Sequence, residues 1–179
     1  MKLSITKFGN PILRRKGGRL QRFDKSTAEL VNNMIETMFY AKGIGLAAQQ
    51  VGLALQLAIV WVGNQTSYLR INGEEADPAT TLPIILINPV ITTFGDPEPY
   101  EEGCLSIKGI HHEVIRQPNV KMETIWNPLK RKPEPTIVEC DGLTARAILH
   151  EADHLNGVLF TDHLPRNVRD EISKVVKRK

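Results

Sequence analysis

An α+β fold, with short antiparallel β-sheets packed around a central helix that carries a metal motif, is the class that three features of the sequence predict. Two stretches, "DKSTAELVNNMIETMFYAKG" (24–43) and residues 142–156, have apolar residues at helical spacing. Between them lie several apolar runs of strand length, split by Asn, Pro and Gly. The runs are grouped between the helices and do not alternate with them, which favours α+β over a parallel α/β sheet.

Each element has a local reason. "NPILRRKGGRL" near the start is rich in turn and breaker residues. In the first helix Leu30, Val31, Met34, Met38 and Phe39 recur on one side, Asp24 or Ser26 can cap the start, and Gly43 can end it. "LQLAIVWV" (55–62) is apolar and β-branched, as a buried strand is. Residues 63–82 are polar, contain "NG" and "DP", and predict a long loop. "PIILINPVITTF" predicts strand, turn, strand, broken at Asn88-Pro89. "HEVIR" and "VKMETIW" are two further strands, "NPLKRKPEP" a turn, and "TIVEC" a strand after it. Residues 142–156 place Leu143, Ala147, His150, Glu151 and His154 on or near one helix face, with Gly157 as a stop. Residues 1–165 predict one catalytic domain, and 166–179 a short basic amphipathic helix or tail of that domain.

Composition excludes little but bounds much. The chain has 179 residues, 41% hydrophobic and 24% charged, with a net charge of +3. That is ordinary for a globular protein and too weakly basic to argue for nucleic acid. No run approaches the ~20 apolar residues of a membrane span, and the N-terminus lacks a secretory apolar core. Two cysteines, Cys104 and Cys140, make no disulfide framework. A cytoplasmic location, with one thiol kept for chemistry, is the expectation.

The chemistry begins at "HEADH". His150 and His154 stand one turn apart and can hold one metal, with Glu151 beside it as a general base. A bare surface helix is the bland alternative, but Leu149, Ala152 and Leu155 leave this helix no wholly solvated face. Downstream, His163 is too near the helix end to return to the metal. Upstream, "EEGCLS" offers Cys104, whose thiolate suits Zn²⁺ or Fe²⁺ and would leave an open fourth position. A small buried residue is the alternative fate for Cys104, and the preferred one for Cys140. "GIGLAAQQVG" lacks a phosphate-loop pattern. It reads either as a flexible turn or as a ligand-lining segment, with Gly43 and Gly45 for close approach, Ile44 and Leu46 for an apolar wall, and Gln50 as a neutral donor.

"GIGLAAQQ", "EGCLS" and "HEADH", in that order, together with "NPILRR" and "NGVLFTDHL", resemble the signature motifs of the peptide deformylase family over residues 10–164. The resemblance implies removal of the formyl group from N-terminal formyl-methionine of nascent peptides, releasing formate. It implies Cys104, His150 and His154 as ligands of one divalent metal, Fe²⁺ natively, with Zn²⁺, Ni²⁺ or Co²⁺ as substitutes. Glu151 would be the general acid/base, and Gln50 and the Leu105 N–H the oxyanion donors. Ile44, Gly45, Gly103 and Leu143 would contact substrate, and Arg116 would sit near its exit side. A ribosome contact through the basic tail is a further implication, beside the plainer reading of a solvated tail; no membrane partner is expected. An Arg146–Glu102 pair beneath the metal is expected to hold the cysteine loop, with Asp153 or Asp162 as candidates to orient the histidines.

The chain departs from the family at Leu149, where Gln is usual, and at Lys108, where Pro is usual, which puts peptide preference in doubt. His111 and His112 read as surface residues, not ligands. Three rival functions remain: a small HExxH endopeptidase, which would need neither Cys104 nor Gln50; a silent protein that only holds modified N-termini, which would need no Glu151; and a structural zinc domain, which would need four ligands.

Overall fold

The computed structural model describes residues 1–63, 68–78, 81 and 83–176. Helix α1 (Lys25–Tyr40) begins where Asp24 accepts the Thr27 N–H, and it buries Val31, Met34 and Met38. It ends in a paired cap: the Lys42 N–H donates to Phe39 O and the Gly43 N–H to Met38 O, each at 3.0 Å. That cap holds Lys42 at φ 56°, a position that usually carries glycine because an L side chain there costs about 1–2 kcal/mol.

The strands in chain order are β1 (Gly45–Ala47), β2 (Leu57–Val60), β3 (Leu69–Ile71), β4 (Glu74–Glu75), β5 (Ile84–Ile87), β6 (Val90–Phe94), β7 (Glu98–Gly103), β8 (His111–Arg116), β9 (Asn119–Thr124) and β10 (Thr136–Cys140). They form three antiparallel sheets, ordered β1-β2-β5, β4-β3-β10-β9-β6 and β7-β8. Helix α2 (Gly142–Leu155) follows β10, and α3 (Arg166–Val176) closes the described chain.

Alternation along β2 explains how these layers join. Ala58 and Val60 pack with Ala145, Ile148 and Leu155 of α2 and with Met122 and Val138 of the five-stranded sheet. Leu57 and Ile59 point the other way, into Val31, Met34 and Met38 of α1. A strand buried on both faces has to be apolar throughout, which is why its sequence shows no polar alternation. A third cluster joins Leu13, Ile107, Val114 and Phe160 to Ile172 of α3, so the C-terminal helix is fastened to the body.

Most predicted elements are found within a few residues of their expected ends. The break at Asn88-Pro89 is a turn with Asn88 at φ 49°. Four strands went unread. Within 63–82, expected to be loop, β3 and β4 form a hairpin about Asn72-Gly73, both at positive φ; residues 64–67, 79–80 and 82 of that loop lie outside the described residues. β1 is a strand inside the small-residue segment. β7, "EPYEEG", carries too little apolar pattern to announce itself. Of the tail helix expected over 166–179, residues 177–179 lie outside the described residues.

Candidate metal centre and its cleft

Helix α2 starts after Asp141 and stops because Gly157 takes φ 75°. A Cβ at Gly157 would run into the backbone of Arg14, so the stop is also a close approach between chain segments. Within the helix, His150 and His154 lie one turn apart, with ring centroids at 5.0 Å. Both are buried, at 8% and 1% exposure.

Cys104 follows the end of β7, and its Sγ lies 3.3 Å from His154 Nε2. The donor atoms of Cys104, His150 and His154 all lie within 4.8 Å of one another. Burial opposes ionisation of the thiol, but His154 and His150 outweigh it and bring its pKa well below the usual thiol value. A thiolate and two imidazoles fit a zinc- or iron-sized ion, whose tetrahedral ligands stand roughly 3.3–3.8 Å apart. An orphaned atom fits the same picture: Glu151 Oε2 is buried without a partner among the described residues. The other cysteine is different. Burial and Asp141 raise the Cys140 thiol far above its usual pKa, and it sits in the core at 1% exposure.

Behind the ligands is a dense ionic cluster. Glu102 Oε2 lies 3.0 Å from His150 Nδ1. A carboxylate can only accept, so Nδ1 carries the proton and Nε2 is left for a metal. Arg116 donates to Glu102 from Nε at 2.7 Å and Nη2 at 3.0 Å, and to Asp153 from Nη1 at 2.8 Å. Arg146 adds a third contact to Glu102 at 3.3 Å and also holds the carbonyls of Val114 and Glu98. Burial disfavours the Glu102 charge, yet His150 and Arg116 hold its pKa down at about 2.

This cluster corrects two expectations. Arg116 is not at the exit of the cleft; it is 9% exposed and turned inward, because Glu102 and Asp153 would otherwise be buried charges without enough partners. Neither Asp153 nor Asp162 orients a ligand histidine. Asp153 pairs with Arg116 and His163, Asp162 with Arg14, and the carboxylate on His150 is Glu102. The expected Arg146–Glu102 pair is present. The adjacency of Glu102 to Gly103 and Cys104 was the available signal: on β7, one residue apart in direction, Glu102 points inward under the metal corner while the chain turns to present Cys104.

On the open side, a cleft of about 1350 Å³ is lined by Ile44, Gly45, Gln50, Gly103, Leu105, Leu143, Ala147, His150 and Glu151, among others. Glu151 is 3% exposed. Burial, partly offset by the two histidines, lifts its carboxyl to about 7, near the value a proton carrier needs at neutral pH. A Cβ at Gly45 would collide with this carboxylate, so only glycine lets β1 pass so close. Gln50 is aimed by its own chain: its Oε1 accepts the Ala47 N–H at 2.7 Å, which turns Nε2 toward Cys104 Sγ at 3.4 Å. His111 is exposed, and its ring lies over Gly103 at the edge of the cleft.

Two histidines and a cysteine around one point, with a buried glutamate beside an open cleft, define a small mononuclear metalloenzyme of the HExxH type. The sequence profile described as polypeptide deformylase matches residues 2–170. A peptide deformylase of Methylacidiphilum infernorum is 40% identical, the alignment covering 98% of this chain and 93% of that protein; one from Prochlorococcus marinus is 43% identical over 89% of this chain and 71% of its own length. The crystal structure of peptide deformylase from Ehrlichia chaffeensis superposes with a TM-score of 0.85 at 29% identity, over 99% of this chain and 96% of that one. The chain belongs to the polypeptide deformylase family. Members are metal-dependent enzymes that remove the formyl group from nascent peptides. Among the described residues no helix is long and apolar enough to cross a membrane.

Proposed function

We propose that this protein hydrolyses the formamide of N-terminal formyl-methionine in the cytoplasm, with Cys104, His150 and His154 holding one Fe²⁺ and Glu151 carrying the proton. The observation that supports it most is the convergence of the three donor atoms within 4.8 Å beside a cleft lined by Cys104, His150, Gln50 and Glu151. A divalent ion held by Cys104, His150 and His154 would supply Lewis acidity, enough to make water acidic near neutral pH. Zn²⁺, Ni²⁺ or Co²⁺ would fit the same ligands.

Glu151 takes the proton of that water and returns it to the amine as the C–N bond breaks, which its raised pKa favours. The negative charge developing on the formyl oxygen needs donors already in place. Gln50 Nε2 is aimed because Gln50 Oε1 accepts the Ala47 N–H, and the Leu105 N–H has no backbone acceptor among the described residues. Ile44, Leu143 and Ala147 offer an apolar wall suited to a methionine side chain. Gly45 and Gly103 admit the peptide backbone between the free edge of β1 and β7. Residues 1–165 and the helix after them act as one unit. The basic tail is a candidate ribosome contact, and replacing Lys174, Lys177, Arg178 and Lys179 by Gln, which leaves Ile172 in its cluster, should weaken ribosome binding at low salt without changing activity on short peptides.

The test is formate release from a formyl-Met peptide by protein prepared without oxygen and loaded with Fe²⁺ or Ni²⁺, beside Glu151→Ala. Formate from the wild type and a loss of about 10²–10⁴-fold in the variant, with metal still bound, is the expected result. No formate from a fully metal-loaded wild type would overturn the reading.

A further inference from the structure

The cleft is larger than a formylated methionine requires. Its volume of about 1350 Å³ exceeds the roughly 300–1,000 Å³ of ordinary small-ligand sites. Several residues after the methionine must therefore run through it, and the groups they meet are strongly biased in sign. Lys7, Lys42 and Lys108 all line the cleft and are all exposed. None has an ion-pair partner among the described residues. A fourth cation stands beside them, since Lys2 Nζ lies 3.7 Å from the ring centroid of Tyr40, another lining residue.

Against these, Glu101 is the one exposed carboxylate among the lining residues. Glu102 is buried and already paired, and Glu151 is buried at the floor. The cations come from three separate stretches of chain: the N-terminal segment, the end of α1 and the cysteine loop. Lys42 is the most telling of them. It occupies a φ of 56°, where glycine would be less strained, so the fold keeps a cation at a place whose backbone favours no side chain at all.

We propose that this lysine rim makes the enzyme select nascent chains with acidic side chains a few residues after the methionine, an inference that rests on the deformylase reading. The lysines touch downstream residues and not the reacting formyl group, so they act on binding. The preference belongs in KM, with kcat little changed. One exposed ion pair is worth about two- to fivefold in affinity, so two glutamates paired on the rim give roughly tenfold. Being exposed, they are screened by salt.

The experiment compares three C-terminally amidated peptides with the metal-loaded full chain: formyl-Met-Ala-Glu-Glu, formyl-Met-Ala-Lys-Lys and, as reference, formyl-Met-Ala-Ser-Ser. The acidic peptide should exceed the basic one about tenfold in kcat/KM at low salt, through KM, with the ratio falling toward one in half-molar salt. In the combined variant Lys7→Gln, Lys42→Gly, Lys108→Gln the ratio should collapse at low salt as well. Lys42→Gly relieves the left-handed side chain, so this variant is expected to keep its melting temperature. Equal kcat/KM for the two charged peptides, with the serine peptide processed normally, overturns the rim alone. A ratio unchanged in the combined variant also overturns it, because the selection would then lie elsewhere. No formate from any of the three overturns the deformylase reading and the rim with it.

Discussion

The metal corner and the interior of the five-stranded sheet lie on different sides of α2, and they are held together by opposite physics. On the sheet side, Met122, Val138, Ala145 and Ile148 are buried with no polar side chain among them. Their attraction has no direction, so residues of similar volume can replace one another at modest cost. On the other side, Glu102, Arg116, Arg146, Asp153 and His150 share directed contacts of 2.7–3.3 Å, all but the half-buried Asp153 in near-complete burial. There, each group is tolerated only because its neighbours neutralise it. Both sides contribute to stability; the ionic side alone also sets where the Cys104, His150 and His154 donor atoms sit.

The two cysteines give the largest contrast. In protein stripped of metal at pH 7.5, Cys104 should react with iodoacetamide at least 100-fold faster than Cys140, because the histidines favour its thiolate while burial and Asp141 keep Cys140 neutral. Restoring the metal should protect Cys104. Mass-spectrometric labelling rates read this directly, and comparable rates would break the distinction between the two regions.

Next in size is Glu102→Ala. It leaves two guanidiniums buried with a carboxylate missing, so stability should fall by about 3–5 kcal/mol. With nothing to fix the His150 ring, metal affinity should fall about 10–100-fold. Urea denaturation and metal competition measure the two effects, and both should move together. Met122→Ala, on the sheet side, should cost about 2–5 kcal/mol while leaving kcat and metal affinity near wild type. If Met122→Ala also released metal, the division of labour across α2 would be wrong.

That division also explains what could be read without coordinates. The sheet side was legible, since α1, α2, β2, β5, β9 and β10 show apolar periods or runs that burial imposes. That Cys104, His150, His154 and Glu151 come together was legible because chemistry restricts residue type: few groups besides Cys, His and Glu suit a metal site and its proton carrier. The ionic cluster was only half legible. An arginine turned inward toward Glu102 is the same letter as one turned outward toward a substrate, so Arg116 was expected at the cleft exit. Orientation follows from which face of β8 meets α2, and a charged edge strand such as β7 carries no apolar period to reveal its pairing. Gln50 was found by type, but the bond from Ala47 that aims it could not be, because it depends on a turn of Ala48–Val51 in a segment of small residues without pattern.

The smallest effect lies where neither region's rule holds strongly. Asp162 pairs with Arg14 and accepts the Leu159 N–H at 2.8 Å, at the surface end of the third apolar cluster. Burial raises its pKa, but the bond from Arg14, the Leu159 N–H and the charges of Arg14 and Arg169 outweigh that and lower it below 3.8. A carboxylate whose pKa is lower in the folded state stabilises the fold above its unfolded value and loses that contribution as the pH falls on through the lower folded value. Asp162→Asn should therefore cost less than about 1 kcal/mol at pH 7, since both partners are solvent-screened. The gap from wild type should begin to narrow as the pH falls toward 3.8 and close below it, through the lowered folded value. Urea midpoints at about pH 7, 4 and 3 measure it. A gap that stays constant across that range would mean that the Leu159 turn holds this corner by shape, as the sheet side is held, and not by charge.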